Sequence, residues 1–170
     1  MPKSFIVAPL APEDVDFAFP VAQALRPSMT AAEWRAMAGH FLVPPSGDRA
    51  PGRRGIFACR MGSGHIRGLF CYALDAGRAL HVQCFVAVGL FDALITAAAL
   101  IDAIDQLARK LGAVTVEVDT GSCVASCTKT DRDATAVFLE SGYLRSGDVL
   151  VRLVEMEAAA PRYPVPVGHA

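Results

Sequence analysis

Hydrophobic positions recur with a period of two in some segments and of three to four in others, and their order predicts a mixed α/β (α+β) fold. The clearest helix spans residues 92–111, where apolar side chains recur at spacings of three and four and Gly112 follows the last turn. Thr30 and Glu33 form a capping-box pattern that opens an earlier helix, and Pro20 is expected to kink or split the helix before it. The predicted strands lie at 4–9, 55–61, 66–74, 80–88, 114–118, 143–144 and 149–155, and the predicted helices at 12–25, 30–41, 92–111 and 133–141.

Stretches rich in glycine, proline and polar residues separate these elements. Residues 43–52 (VPPSGDRAPG) are predicted to be a loop, and residues 119–131 a longer polar loop. Residues 158–170 are rich in alanine and proline and are predicted to be a C-terminal tail. The chain is therefore expected to form a single domain over residues 1–157, which is long enough to bury a core without disulfides or metal.

The composition excludes some classes of protein. Of the 170 residues, 53% are hydrophobic and 19% charged, which rules out disorder for the bulk of the chain. The net charge of -1 argues against a nucleic-acid partner, because phosphate binding needs a basic face. The apolar run 84–101 is long enough to suggest a membrane span, but Asp92 at its centre favours a buried strand followed by a buried helix, with no membrane partner.

The low charge is also compatible with a homodimer. The five cysteines form an odd, scattered set without a CxxC pair, and the N-terminus lacks the pattern of a signal peptide, so a reducing cytoplasm is expected. The spacing of Cys123 and Cys127 has no second pair and no nearby histidine, and no metal site is predicted.

Motifs in the second half of the chain match a known pattern. The run LIDAIDQLARKLGA at 100–113 is similar to L-x-x-A-x-x-x-A-x-x-x-G-A, FLESGY at 138–143 resembles Y-E-K-x-G-F, and DRDA at 131–134 falls at an N-x-x-A position. These residues resemble the GNAT superfamily of acetyl-CoA-dependent N-acetyltransferases. The resemblance implies a mixed sheet of six to seven strands flanked by helices. It also implies an enzyme that transfers an acetyl or other acyl group from acyl-CoA to a small-molecule or peptide amine by direct attack.

The resemblance also implies a cofactor site in which main-chain groups after the middle of the fourth strand hold the pantetheine arm. The following turn and the start of the long helix would then hold the pyrophosphate. The cofactor-binding positions carried over in this way are Phe85, Val86, Ala87, Val88, Asp92, Ala93, Leu94, Ile95, Thr96, Ala97 and Phe138.

Several of these positions depart from the family pattern. Asp92 stands where the family has arginine, and Ala93 and Ile95 stand where it has glycine. An aspartate repels a pyrophosphate, and a β-branched residue keeps the backbone from approaching it closely. Phe138 replaces a tyrosine that often serves as the general acid, and a phenyl ring has no proton to give. These departures favour an alternative function, a catalytically silent binding or regulatory module.

Two residues are candidates for the general base of an acyltransferase. His81 lies in the fourth predicted strand and has a side chain suited to proton transfer near neutral pH. Glu117 lies between Val116 and Val118, and a carboxylate in an apolar strand is suited to removing a proton. In the alternative interpretation, His81 is a hydrogen-bonded residue on a sheet face and Glu117 faces solvent because strands alternate. The hydrogen-bonded interpretation is favoured for His81, and Glu117 is the better candidate for the base.

Overall fold

The computed structural model describes residues 5–43, 53–89, 92–126 and 134–155. Within them the chain forms eight strands and four α-helices. The strands are β1 (Phe5–Pro9), β2 (Arg54–Met61), β3 (Ile66–Leu74), β4 (Ala79–Val88), β5 (Thr115–Asp119), β6 (Cys123–Ser126), β7 (Leu144–Ser146) and β8 (Val149–Leu153). The helices are α1 (Val15–Ala22), α2 (Ala31–Leu42), α3 (Ala93–Leu111) and α4 (Ala134–Glu140), with short 3-10 turns at Pro12–Asp14 and Thr120–Ser122.

All eight strands belong to one sheet, in the order β1-β2-β3-β4-β5-β8-β7. Strand β4 is at its centre and pairs with the antiparallel strand β3 along one edge. Along the other edge β4 pairs in parallel with two strands placed end to end, β5 against Ala79–Val82 and β6 against Phe85–Val88. The α3 crossover between β4 and β5 is the connection that a parallel pair requires.

Strand β6 corrects the sequence-based prediction. Residues 119–131 were expected to form a polar loop and the sheet to have six to seven strands, but Cys123–Ser126 form an eighth strand. The run Cys-Val-Ala-Ser is short and mostly apolar, and it forms a strand because an unpaired edge of β4 is available to it.

The other predicted elements agree with the structure to within a few residues. The Thr30–Glu33 capping box is confirmed, with both of its reciprocal hydrogen bonds present, and Gly112 ends α3 in the left-handed conformation. Pro20 lies inside α1, which is shorter than expected because residues 12–14 form a 3-10 turn and the helix ends at Ala22. The predicted tail and most of the loop 43–52 lie outside the described residues.

Helices cover both faces of the sheet and divide the core into two layers. One layer packs α3 and α4 against side chains such as Leu80, Val82 and Phe85, and the other packs α1 and α2 against side chains such as Cys84 and Val86. Val82 and Phe85 face the same layer although three residues separate them, because Gln83 is an extra residue in β4. Tyr72 pairs with Val82 and Cys71 with Cys84, which leaves Gln83 as a β-bulge.

No helix among the described residues is long and apolar enough to cross a membrane.

Gly68 sets how closely α3 approaches the sheet. A Cβ atom at this position would lie 2.7 Å from Leu100 Cδ1 in α3 and 2.8 Å from the main-chain oxygen of Val86 in β4. The second contact is with backbone, which cannot move aside without breaking the sheet. A glycine is therefore required where β3 passes beneath α3.

We expect Gly68→Ala to lower the free energy of unfolding by about 1 to 3 kcal/mol, because the added methyl group overpacks the contact between α3 and the sheet. The measurement is chemical denaturation followed by circular dichroism. Gly62→Ala is the matched control, since nothing lies within 4 Å of a Cβ atom there, and it should change the stability by less than about 0.5 kcal/mol. Equal stability of the two variants would contradict this account of Gly68.

Candidate active site

A cluster of three titratable side chains lies on the sheet face where β4 and β5 pair. His81 and Glu117 are opposite each other in the parallel register, and His81 Nδ1 lies 3.3 Å from Glu117 Oε2. On the other side of the ring, His81 Nε2 forms a hydrogen bond of 2.9 Å with Asp75 Oδ2. The structure thus brings the two predicted base candidates together and adds a carboxylate, Asp75.

The turn between β3 and β4 positions Asp75. Its Oδ1 accepts a hydrogen bond from the amide of Ala79 at 2.8 Å, which leaves Oδ2 directed at His81. The turn closes with Arg78 in the left-handed region at φ 65°, where its carbonyl accepts a bond from the amide of Val114. The backbone of the turn therefore fixes the position of one Asp75 carboxylate oxygen. The second Asp75 oxygen, through its bond to Nε2, fixes the tilt of the His81 ring.

The geometry around His81 places two proton acceptors side by side when the imidazole ring is neutral. If Nε2 carries a hydrogen and donates it to Asp75, the second nitrogen of a neutral ring is a lone-pair acceptor. Two acceptors 3.3 Å apart, Nδ1 and the Glu117 carboxylate, repel each other unless a proton lies between them. The three side chains together can hold one proton beyond the neutral imidazole, or bind a donor group of a cation.

The cluster is open to solvent. Leu80, Val82, Val116 and Val118 all face the α3–α4 core, so the alternation of both strands places His81 and Glu117 on the opposite face. The His81 and Glu117 side chains are 35% and 37% exposed, which lets a dissolved ligand reach them. The bulge residue Gln83, two positions after His81, is also exposed.

The main chain after the bulge is occupied by β6. The register pairs Phe85 with Cys123, Val86 with Val124, Ala87 with Ala125 and Val88 with Ser126. These four β4 residues are the ones that the resemblance assigns to a pantetheine arm. Their main-chain groups face β3 on one edge and β6 on the other, so strands flank them on both sides.

The predicted cofactor-binding residues in the first turn of α3 differ in their exposure to solvent. Ala93, Thr96 and Ala97 are buried against the sheet, and the side chain of Thr96 has no hydrogen-bond partner for Oγ1 among the described residues. Leu94 and Ile95 are exposed.

Asp92 precedes this turn and is only 8% exposed. A Cβ atom on Gly89 would collide with its carboxylate, so the acidic group folds back over the end of β4. A negative charge therefore lies at the position where the helix dipole would otherwise favour an anion.

Phe138 is fully buried. The centroid of its ring lies 4.7 Å from the ring centroid of Phe85 and 5.0 Å from that of Tyr143, and both pairs are edge-to-face. The side chain fills the space between α4 and β4 as a core residue. Beside it the hydroxyl of Tyr143 donates to Asp105, and burial raises the pKa values of both groups.

The remaining candidate groups do not join this cluster. No set of three His, Cys, Asp or Glu side chains is placed to hold a metal ion in the described parts of the chain, and Cys127 lies outside them. Cys123 donates its thiol hydrogen to the main-chain oxygen of Asp119. A cavity of about 410 Å³ lies elsewhere, under α2 and the start of β2, and Leu10, Phe41, Arg54 and Lys110 help to line it.

Sequence reasoning missed two features of this site, Asp75 and β6. Asp75 belongs to the turn Asp-Ala-Gly, and an aspartate opening a hairpin turn six residues before a histidine in the next strand is a signal that could have identified it. For β6 the signal is the length of the segment between β5 and α4, together with its apolar run at 123–125.

The structure is similar to solved N-acetyltransferase structures. Ard1 from Thermoplasma volcanium has a TM-score of 0.65 and 14% identity over 89% of this chain and 98% of its own. Spermidine N-acetyltransferase from Vibrio cholerae, solved with CoA and spermine, has a TM-score of 0.63 and 13% identity over 88% and 95%. The aminoglycoside 6'-N-acetyltransferase from Enterococcus faecium has a TM-score of 0.65 and 12% identity over 88% and 97%. These likenesses show that the chain has the GNAT fold.

By sequence, no protein-family profile matches the chain. No curated protein matches it either.

The cofactor that this fold implies, an acyl-CoA, does not fit the residues as they are arranged. Strand β6 is paired to the β4 edge to which the resemblance assigns the pantetheine arm. The Asp92 carboxylate is folded against Gly89, beside the helix start to which the resemblance assigns the pyrophosphate. Phe138 cannot act as an acid. The cluster of Asp75, His81 and Glu117 is open to solvent, whereas β6 covers the β4 edge over Phe85–Val88.

The hydrogen bond from His81 lowers the pKa of the Asp75 carboxyl, and the bond from the Ala79 amide lowers it further. We expect His81→Ala to raise this pKa toward the ordinary value of about 3.9, as measured by ¹³C NMR titration of the carboxyl group. His65→Ala, at an exposed position in another turn, is the control and should leave the pKa unchanged.

The same contact makes a pH-dependent contribution to stability. Because the folded-state pKa of Asp75 is depressed, the stabilisation is present above the ordinary carboxyl pKa and is lost as the pH falls through the lowered value. The part of the stability difference between the wild type and His81→Ala that comes from this contact should therefore vanish in acid. An unchanged Asp75 pKa in His81→Ala would contradict the bond.

Proposed function

We propose that this chain, which has the GNAT fold, is an N-acyltransferase whose acceptor is an amine and whose proton acceptor is the His81–Glu117 pair. The observation that carries the proposal is the placement of His81 between two carboxylates on the open sheet face, two residues before the β4 bulge. This arrangement gives each of the three side chains a distinct role toward an amine.

The two carboxylates supply attraction for a cation. An aliphatic amine is protonated at neutral pH, and Asp75 and Glu117 place two negative charges on either side of His81. The ammonium group must lose a proton before its nitrogen can attack a carbonyl carbon. Glu117 and Nδ1 of His81 lie 3.3 Å apart and can hold that proton between them.

Asp75 acts as a positioning residue in this proposal. Because it accepts a hydrogen bond from Nε2, it fixes the tautomer of His81 in which Nδ1 faces Glu117. Such a partner also stabilises the imidazolium that forms when a proton is taken up.

Two of the structurally similar proteins are a spermidine N-acetyltransferase and an aminoglycoside 6'-N-acetyltransferase, and spermidine and aminoglycosides are amines of high positive charge. Together with the three-residue cluster, this supports a polyamine or another cationic amine as the acceptor class. An acyl thioester would supply the electrophilic carbonyl. As the amine nitrogen forms the new N–C bond, the C–S bond would break and water would protonate the leaving thiolate, because Phe138 has no proton to give.

A second function, that of an amine-binding module without catalytic activity, is favoured by the residues at the positions that the resemblance assigns to acyl-CoA. Strand β6, the buried Asp92 and the phenyl ring of Phe138 each oppose acyl-CoA chemistry in the described arrangement. Both proposals use the same acceptor cluster, and they differ in whether an acyl group is transferred.

We expect Glu117→Gln to lower the rate of spermine acetylation, measured by mass spectrometry with acetyl-CoA as the donor, by about 10²-fold or more. The melting temperature should stay nearly unchanged, because the Glu117 side chain is more than one third exposed. Glu155→Gln, at an exposed position just after β8, is the matched control and should retain the activity.

The same variants separate the two functions. If the wild type transfers no acetyl group but binds spermine in calorimetry, and Glu117→Gln weakens that binding, the chain is a binding module. If Glu117→Gln acetylates spermine as fast as the wild type, the assignment of the proton acceptor is wrong. A large loss of melting temperature in Glu117→Gln would mark the residue as structural.

A further inference from the structure

We propose that β6 is a displaceable strand that closes the donor edge of β4 and must leave it before an acyl thioester can bind. The proposal rests on the acyltransferase function above and concerns regulation of that same site. It is carried by the pairing of Cys123–Ser126 with Phe85–Val88, which are the β4 residues whose main chain the donor arm would need.

The acyl-donor arm and β6 would bind the edge of β4 through the same kind of main-chain hydrogen bonds. The donor class is an acyl thioester on an extended arm that contains amide groups, as the resemblance implies. An extended chain with amides binds the edge of a strand through main-chain hydrogen bonds, in the manner of an added β-strand. Strand β6 already makes these bonds, so the arm and β6 compete for one row of main-chain donors and acceptors.

The side chains of β6 hold it weakly. Among Cys123, Val124 and Ala125 only the alanine is buried, and its methyl group contributes little apolar area. Strand β5 shows the contrast on the same edge of β4. It pairs with β4 on one side and β8 on the other, and both Val116 and Val118 are fully buried.

Strand β6 pairs with β4 alone among the described strands. Besides the four residues of main-chain pairing, β6 contacts α3 and α4 through the buried Ala125 and the partly buried Cys123. Strand β5 is held more firmly, by two ladders and by two fully buried valines.

The segment before β6 forms a fixed anchor about which the strand can move. The amide and hydroxyl of Thr120 both donate to the main-chain oxygen of Asp148, at 3.0 and 2.8 Å. The Asp119 side chain accepts from the amide of Gly121, and its main-chain oxygen accepts from Cys123. These bonds fix Thr120–Ser122 to the end of β5 and to the β7–β8 turn, so release of β6 does not require β5 to move.

Closure by β6 lowers the apparent affinity for the donor by a calculable factor. If the open form makes up a fraction f of the molecules, the apparent dissociation constant is the intrinsic one divided by f. A variant in which β6 cannot pair should therefore bind acetyl-CoA more tightly than the wild type does, without any new contact to the ligand.

The test compares acetyl-CoA binding by calorimetry in the full-length wild type and in the double variant Val124→Pro/Ala125→Pro. Proline has no amide hydrogen, and amides of successive residues in a strand point to opposite edges, so the double change removes whichever amide faces β4. We expect the variant to bind acetyl-CoA at least tenfold more tightly.

The matched control is Leu144→Pro/Arg145→Pro, which breaks a short edge strand, β7, at the far side of the same sheet. It should bind acetyl-CoA as the wild type does. Circular dichroism and melting temperature establish that each variant is folded. Val124→Gly/Ala125→Gly, which weakens a strand without excluding it, replaces the proline variant if that one does not fold.

Hydrogen exchange of the wild-type protein provides a readout that needs no variant. Saturating acetyl-CoA should speed exchange at the amides of 123–126 and leave Phe85–Val88 protected, because the arm replaces β6 on the same edge. Unchanged protection of β6 in a protein that binds acetyl-CoA would overturn the proposal.

The outcomes separate this inference from the proposed function. Equal affinity of the wild type and the β6 variant, with β6 protected throughout, overturns the displaceable strand and leaves the acyltransferase standing. If neither folded protein binds acetyl-CoA at millimolar concentration, both proposals fail and the binding module remains. Tighter binding by the β6 variant alone supports the displaceable strand.

Discussion

The arrangement of the whole molecule depends on how the two edges of β4 are satisfied. This strand is the centre of the sheet, and its main chain must find hydrogen-bond partners along nearly its full length because unpaired buried amides and carbonyls are costly. One edge is paired to β3 in the usual antiparallel way. The other edge is paired to β5 over Ala79–Val82 and to β6 over Phe85–Val88, with the Gln83 bulge between the two stretches.

This division of one edge gives β4 two chemically different halves. Along β5 the parallel register places His81 opposite Glu117, and the short turn from β3 brings Asp75 to the other side of the same ring. Along β6 the pairing is between small or apolar side chains, and the Cys123 thiol is the one titratable group among these eight residues. The bulge also reverses which residues face each layer, so Phe85 joins the α3–α4 core, where it contacts Phe138.

Much of this architecture could be predicted from the sequence, because its signals are local. The α3 helix and its glycine stop, the Thr30–Glu33 cap and seven of the eight strands follow from periodicity and capping chemistry within short windows. The eighth strand could not, since Cys-Val-Ala-Ser has no strong propensity and forms a strand only because β4 offers an open edge. That edge exists only once the sheet is assembled.

The candidate site could likewise be predicted from the sequence only in part. His81 and Glu117 could be proposed individually from residue type and strand position, but their distance of 3.3 Å depends on the β4–β5 register, which no local pattern specifies. Asp75 was missed because its role requires the turn to direct one carboxylate oxygen at Ala79 and the other at His81.

The departures at Asp92, Ile95 and Phe138 and the presence of β6 concern the same half of β4. A strand edge that binds an extended ligand is an unpaired edge whenever the ligand is absent, and such edges invite association with other chains. In this chain the segment between β5 and α4 is long enough to place a strand of its own on that edge. The side chains of β6 are small, so β6 covers this edge of β4 without burying a large core residue. A strand with small side chains thus covers the centre of the sheet over Phe85–Val88, and the cluster of Asp75, His81 and Glu117, which depends on β5, lies outside the covered stretch.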